Sequence, residues 1–231
     1  MKSEMIIHKK KCFVYQNGAA NTFLIQAIDK HDLESLDQEV EIIKKLTNDT
    51  PFTLVAFFVD DWNDELSPWS APAVFGNQNF GAGAVKALSF ITECLLPELD
   101  RLYITPEKKR FFIGGYSLSG LFALWTAYQT DIFSGIAAVS PSVWFPGWID
   151  YIESNNIQSP NVYLSLGDKE EKTRNKTMAT VGDNIRRQYE LLTKTDTINR
   201  RELEWNSGNH FTEPEYRTAK GFAWLLSSLD Q

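Results

Sequence analysis

Cysteine is scarce in this chain of 231 residues: Cys12 and Cys94 stand far apart and outside any C-x-x-C spacing. A secreted disulfide scaffold would use more, so both thiols are expected to be reduced and buried or half-buried. Histidine is nearly as rare, with His8, His31 and His210 in no grouping that a metal would need. The acidic stretch Asp60, Asp61, Asp64 and Glu65 lacks the regular ligand spacing of a calcium loop and reads as a solvated loop. Neither a metal nor another cofactor is expected. Positive charge is in deficit, 23 Lys and Arg against 30 Asp and Glu, for a net charge of -7. Nucleic acid and anionic membrane surfaces both require clustered positive charge, so neither is an expected partner. Lys9-Lys10-Lys11 is too short to alter this and reads as a solvated strand entry. Long apolar runs are missing too. The start, Met1 to His8, has no apolar leader core, and no later run reaches the ~20 residues of a membrane span. The expected setting is cytoplasmic.

What is present is ordinary globular composition, 43% hydrophobic and 23% charged, enough for a sizeable core without disulfides. With no internal repeat, linker or low-complexity stretch, residues 1–231 are expected to form one domain. Cys12–Tyr15 and Thr22–Ile28 are β-prone runs around a Gln16-Asn17-Gly18 turn signal, which predicts an antiparallel hairpin. Leu33, Leu36, Val40, Ile43 and Leu46 recur at helical spacing. Phe52–Val59 is apolar throughout, as a strand buried on both faces would be. A long loop with Trp62 and Trp69 follows, of the kind that often carries function. A helix is predicted from Gly83 to Leu96, ending near Pro97. Further strands are predicted at Arg110–Ile113, Gly135–Val139, Asn161–Leu166 and Glu202–Trp205. Met178, Val181, Ile185, Tyr189 and Leu192 mark another helix, and Thr212–Leu229 a last one, with Thr212 and Glu215 as a capping box and Pro214 in its first turn. Alternating strands and helices with apolar central strands predict an α/β fold, a mostly parallel sheet with helices on both faces.

The chain is organised around Gly114-Gly115-Tyr116-Ser117-Leu118-Ser119-Gly120, where a β-rich run ends in paired glycines and an apolar helical stretch begins. This is the composition of a nucleophile elbow, a strained strand-to-helix turn that exposes a serine hydroxyl and needs small residues two places away on each side. Gly115 supplies one, and Ser119 stands where glycine is usual on the other side. The glycine two places before it selects Ser117 over Ser119 as nucleophile.

A serine hydroxyl needs a base within hydrogen-bond reach and a third group to orient that base. His8 and His31 precede the central strands, whereas His210 sits in Ser207-Gly208-Asn209-His210-Phe211, between the last strand and the last helix. That is the loop of the base in the serine, acid, histidine chain order, so His210 is the candidate. The acid should leave the end of the preceding strand, at Gly167-Asp168-Lys169-Glu170-Glu171. The third residue after the glycine, Glu170, is the first choice, with Glu171 and then Asp168 as alternates; a Ser-His dyad would need none of them. For an oxyanion hole, the amide of Leu118 follows the nucleophile, and a second donor is expected at Trp62, or at its neighbour Asp61.

Taken together, Asp61-Trp62-Asn63, Ser67-Pro68-Trp69, the elbow, Ser140-Pro141-Ser142-Val143-Trp144, Gly167-Asp168-Lys169-Glu170 and Gly208-Asn209-His210 resemble the putative esterase (esterase D-like) family of α/β-hydrolases. The family includes S-formylglutathione hydrolases, feruloyl esterases, siderophore esterases and mycolyltransferases. The resemblance runs from about Phe52 to the C-terminus and implies a serine hydrolase acting on a small-molecule ester through Ser117, an acid and His210, without a cofactor. Only about twenty residues separate Val139 from Asn161, too few for a helical cap, so a shallow cleft is expected. Trp69, Trp144 and Trp148 are candidates to line it beside Trp62 and Phe145, although at least half of these rings should pack loops against the core. Acyl transfer to an alcohol, or a binding module that keeps the fold without the chemistry, are the alternatives to ester hydrolysis. Nothing in the sequence fixes the oligomeric state.

Overall fold

A computed structural model of the chain describes residues 1–227. Eight strands form one sheet: β1 (Lys2–Ile7), β2 (Lys10–Asn17), β3 (Thr22–Ile28), β4 (Phe52–Phe58), β5 (Arg110–Tyr116), β6 (Phe133–Val139), β7 (Asn161–Gly167) and β8 (Arg200–Asn206). Their spatial order is β1-β2-β4-β3-β5-β6-β7-β8, parallel from β4 through β8, with β1 and β2 antiparallel at one edge. The edges are polar where the centre is apolar. β3 is buried along its whole length, while β1 exposes Lys2 and Glu4 and β8 exposes Glu202, charges that discourage further pairing at the edges.

The expected hairpin between the first two β-prone runs does not form. β4 inserts between them, so that Val14 lies beside Val55 and Leu24 beside Leu54. A strand as apolar as β4 is covered on both flanks in this arrangement, whereas a β2–β3 hairpin would push it outward. The four residues 18–21 bridge the ~9.5 Å gap of two strand spacings, with Gly18 at a φ of 72°.

Side chains alternate across the sheet with period two, so Leu24, Leu54 and Phe112 face one core layer and Ile25, Val55 and Ile113 the other. The first layer is closed by α1 (Lys30–Leu46) and α8 (Pro214–Leu226), which pack on each other. Asp29 opens α1 as a capping box with Asp32. The opposite layer contains the short α2 (Trp62–Glu65) in the loop after β4, then α3 (Ala84–Phe90), α4 (Leu96–Leu102), α5 (Ser117–Gln129), α6 (Trp148–Ser154) and α7 (Val181–Thr193). Residues 118–128 of α5 are all buried, as expected of a helix apolar on every side.

Two helix expectations change. The helix predicted to end near Pro97 continues to Leu102, because a π turn at Ile91–Leu95, with Leu96 N–H donating to Ile91 O, widens the coil just before the proline. The last helix starts at Pro214 and has no Thr212–Glu215 capping box, since its N-cap Glu213 lies in the left-handed region at a φ of 51° and Thr212 is engaged elsewhere. Its predicted end at Leu229 lies outside the described residues. Both cysteines are free, Cys12 buried and Cys94 half-buried, and no helix among the described residues is long and apolar enough to cross a membrane.

Candidate active site

The parallel strands all point their C-terminal ends to one rim of the sheet, the usual place for ligand sites in open α/β folds. Ser117 leaves β5 there with a φ of 58°, a left-handed conformation costing a serine about 1–2 kcal/mol. The turn is tight enough that only small residues fit. A Cβ on Gly115 would come within 2.1 Å of Ser119 Oγ, and one on Gly120 within 2.8 Å of the Gly115 carbonyl. Ser119 takes the place usual for glycine because its buried hydroxyl donates to Ala27 O at 2.9 Å, tying the elbow to the end of β3.

His210 follows β8. Its loop turns at Gly208, with a φ of 109°, where any Cβ would strike Thr212 Oγ1 at 2.5 Å. Thr212 Oγ1 accepts from Asn209 N, and Asn209 Oδ1 accepts from Phe211 N, so this turn uses the hydroxyl expected to cap the helix. Asp168 Oδ1 accepts from Gly208 N at 2.8 Å and thus anchors the same loop. The imidazole is placed with Nε2 3.0 Å from Ser117 Oγ and Nδ1 2.7 Å from Glu170 Oε2.

Glu170 reaches the imidazole from a single 3-10 turn, Glu170–Lys172, after β7. Its second oxygen accepts from Ser140 Oγ at 2.7 Å, from Gly167 N at 2.8 Å and from Arg217 Nη1 at 3.2 Å. Burial opposes ionisation of this carboxyl, but the hydrogen bond and charge of His210, then Ser140 and the Gly167 amide, hold it below the usual carboxylate range. Glu171 instead forms a two-pronged pair with Arg186, at 2.9 and 3.2 Å, on the far side of the turn. Neither alternate carboxylate touches the imidazole.

Several residues of the site carried no role in the sequence reading. Arg217, on α8, is a buried cation that also donates to Ser207 O at 2.9 Å and approaches Tyr116 Oη at 3.3 Å. Tyr116 in turn donates to the His210 carbonyl at 2.8 Å. Ser140, at a φ of 42°, and Ser142, whose Oγ lies 3.4 Å from Ser117 Oγ, come from the Ser-Pro-Ser segment after β6. Two small hydroxyls flanking a proline at a strand end were the available signal for these; a single arginine in an amphipathic helix gave none.

A cavity of about 310 Å³ opens over Ser117, walled by Leu118, Trp62, Ser142, Trp144 and Phe80. Trp62 opens α2 and Leu118 lies in the first turn of α5, so both backbone N–H groups belong to helix starts, where intrahelical acceptors are missing. Of the tryptophans proposed for the cleft, Trp144 lines it, but Trp69 and Trp148 do not. Trp69 donates Nε1–H to Pro146 O and stacks on Trp148, which is fully buried; both rings fasten the loop after β6 to the core. Phe75 and Phe80 approach Trp144 in their place. The acidic loop is used structurally: Asp61 Oδ1 caps Asp64 N, and Glu65 accepts from the Asp60 and Asp61 amides while pairing with Lys10.

The fold recurs in solved structures. The siderophore hydrolase EstA from Aspergillus nidulans superposes with a TM-score of 0.76 at 18% identity, covering 100% of this chain and 95% of that one. An IroE-like serine hydrolase from Shewanella oneidensis gives 0.79 at 14% identity, covering 98% and 80%. The enterobactin esterase FES from Shigella flexneri gives 0.68 at 13% identity, covering 99% of this chain and 60% of that one. Comparison with curated proteins gives no match. At these identities the structural likeness establishes the α/β-hydrolase fold, and the activity rests on sequence: the model of the family described as putative esterase matches residues 38–218. The chain therefore belongs to the putative esterase family, as a carboxylic-ester hydrolase of the α/β-hydrolase fold.

Proposed function

We propose that the enzyme cleaves a carboxylic ester through an acyl-enzyme on Ser117, with His210 as general base and acid and Glu170 as the group that orients it. The observation that carries this is the unbroken line of contacts from Ser117 Oγ through both imidazole nitrogens to Glu170, at 3.0 and 2.7 Å. Attack of Oγ on the ester carbonyl transfers its proton to Nε2, and Glu170, ionised at neutral pH, stabilises the imidazolium that forms. The carbonyl oxygen becomes negative and is met by the amides of Leu118 and Trp62, a pair for which each donor is worth roughly 10²–10³ in kcat. His210 then protonates the departing alcohol, and in the second half it draws a proton from water to release the acid. The apolar walls from Trp62, Phe80 and Trp144 suit an alkyl or aryl acyl group.

The test is hydrolysis of 4-nitrophenyl acetate and butyrate, with labelling by a fluorophosphonate probe. Ser117→Ala should lose turnover by roughly 10⁵-fold or more and escape the label. Turnover retained in that variant overturns the proposal, and a native protein that neither turns over nor labels would point to a binding module.

A further inference from the structure

The space beside His210 is larger than the nucleophile cavity. A second lobe of about 450 Å³ shares Trp144, Met178, His210 and Phe211 with the first and extends past the imidazole, away from Ser117. Its rim carries Lys169 and Lys172. Some lysines of this acidic chain meet carboxylates, as Lys2 does Asp37, Lys109 does Asp100 and Lys220 does Glu204, and others stand unpaired at the surface. Lys169 and Lys172 make no side-chain hydrogen bond or ion pair among the described residues. The carboxylates nearest to them in the chain are already engaged, Glu170 by His210, Ser140 and Arg217, Glu171 by Arg186, and Asp168 by the Gly208 amide. Two ammonium groups with no hydrogen-bonded partner among the described residues therefore border a lobe with an apolar floor beside the imidazole, with the charge of Lys172 also felt by Glu171.

We infer that this lobe receives the alcohol portion of the ester, and that Lys169 and Lys172 select alcohols bearing a carboxylate or a comparable anionic group. The inference rests on the ester-hydrolase proposal for the assignment of sides. The apolar wall of Trp144, Met178 and Phe211 takes the body of the alcohol, while the ammonium groups meet its charge at the water-exposed rim. Exposed charge pairs are modest and screened by salt, so the preference should be about tenfold at low ionic strength and weaken as salt is added.

The experiment compares two butyrate esters of matched shape, one of 4-hydroxybenzoate and one of 4-hydroxybenzamide. The ratio of their kcat/KM values is measured for the native enzyme, for the double variant K169Q/K172Q and for K169R/K172R; comparing enzymes cancels the intrinsic reactivity of the leaving groups. The ratio should fall about tenfold in the glutamine variant, largely through KM, and return with arginine. A ratio moving less than twofold overturns the inference. Binding of 4-hydroxybenzoate and of 4-hydroxybenzamide to Ser117→Ala, by calorimetry, with and without K169Q/K172Q, reads the lobe without turnover. A carboxylate preference that depends on the lysines, in a protein that cleaves no ester, would uphold the lobe and overturn the catalytic proposal. Turnover without such a preference would do the reverse.

Discussion

Two buried glutamates show how differently one side chain can be treated. Glu170, at the rim after β7, receives its neighbours' donors on both oxygens and titrates below the usual range. Glu39, on the inner face of α1, has one weak donor, Gln26 Nε2 at 3.4 Å, and its Oε1 has no partner. Burial dominates there and pushes its carboxyl up to about 8, so it is protonated at neutral pH. Both side chains are almost wholly covered, so coverage alone does not decide the charge state; the donors and the neighbouring charge do. The role proposed for Glu170, holding an imidazole in one orientation and balancing its charge, needs the first environment. The second is a neutral polar group in a core that would accept an amide as well.

The strongest way to break the contrast is to remove a donor that Glu170 cannot replace. Arg217→Met leaves one carboxylate oxygen facing an apolar side chain and frees the Ser207 carbonyl and Tyr116 hydroxyl that the guanidinium also meets. Breaking a buried ion pair from one side typically costs about 3–5 kcal/mol, so urea unfolding should register a loss in that range, and Arg217→Lys a smaller one. A loss under ~1 kcal/mol would mean that Ser140 and the Gly167 amide hold the acid unaided. Glu39→Gln probes the other side with the opposite sign. Between the unfolded value near 4.5 and the folded value of about 8, the folded chain keeps a proton the unfolded chain has released. Stability then falls as pH rises through that window. The glutamine variant should be more stable by ~4 kcal/mol at pH 8, a gain that disappears below pH 4. Thermal melts at the two pH values check it; equal effects at both would show that Glu39 is not protonated in the fold.

How much of this was legible in the chain follows from whether a constraint is local. The elbow was readable because its requirement is steric and lies within seven residues: Gly115, Ser119 and Gly120 are small since the backbone passes too close for anything else. The proximity of His210 and Glu170 followed from strand ends sharing one rim. The order of the first strands was not readable, because Gly18 makes the same turn whether or not β4 slips between its two flanks. Arg217 was invisible for the same reason: its partner lies 47 residues away, and nothing about an arginine in α8 announces that it faces inward. The tryptophans divided by what surrounds them, Trp148 sealed in the core and Trp144 bordering the cleft, although both follow β6 within a few residues.

The smallest expected effect sharpens the comparison most, because it changes one donor and little volume. Ser140→Ala removes the 2.7 Å hydrogen bond to Glu170 Oε1 and leaves His210, Gly167 and Arg217 in place. The loss should be about 1.5–3 kcal/mol near neutral pH, as for a hydrogen bond to a charged group. Its pH dependence tells whether the hydroxyl acts on the ionised form. A carboxyl that titrates lower in the folded chain contributes stability fully above its unfolded value, near 4.5, and loses it as pH falls through the folded value. Without the Ser140 donor the folded value should rise toward the unfolded one, so the stabilisation shrinks and its loss, which starts near the unfolded value in both proteins, is complete at a higher pH. Unfolding measured from pH 7 to pH 3 in both proteins should therefore show curves that are separated near neutrality and converge as the medium turns acid. Parallel curves would mean that Ser140 supports the backbone after β6, where its own φ is 42°, and contributes nothing to the charge of Glu170.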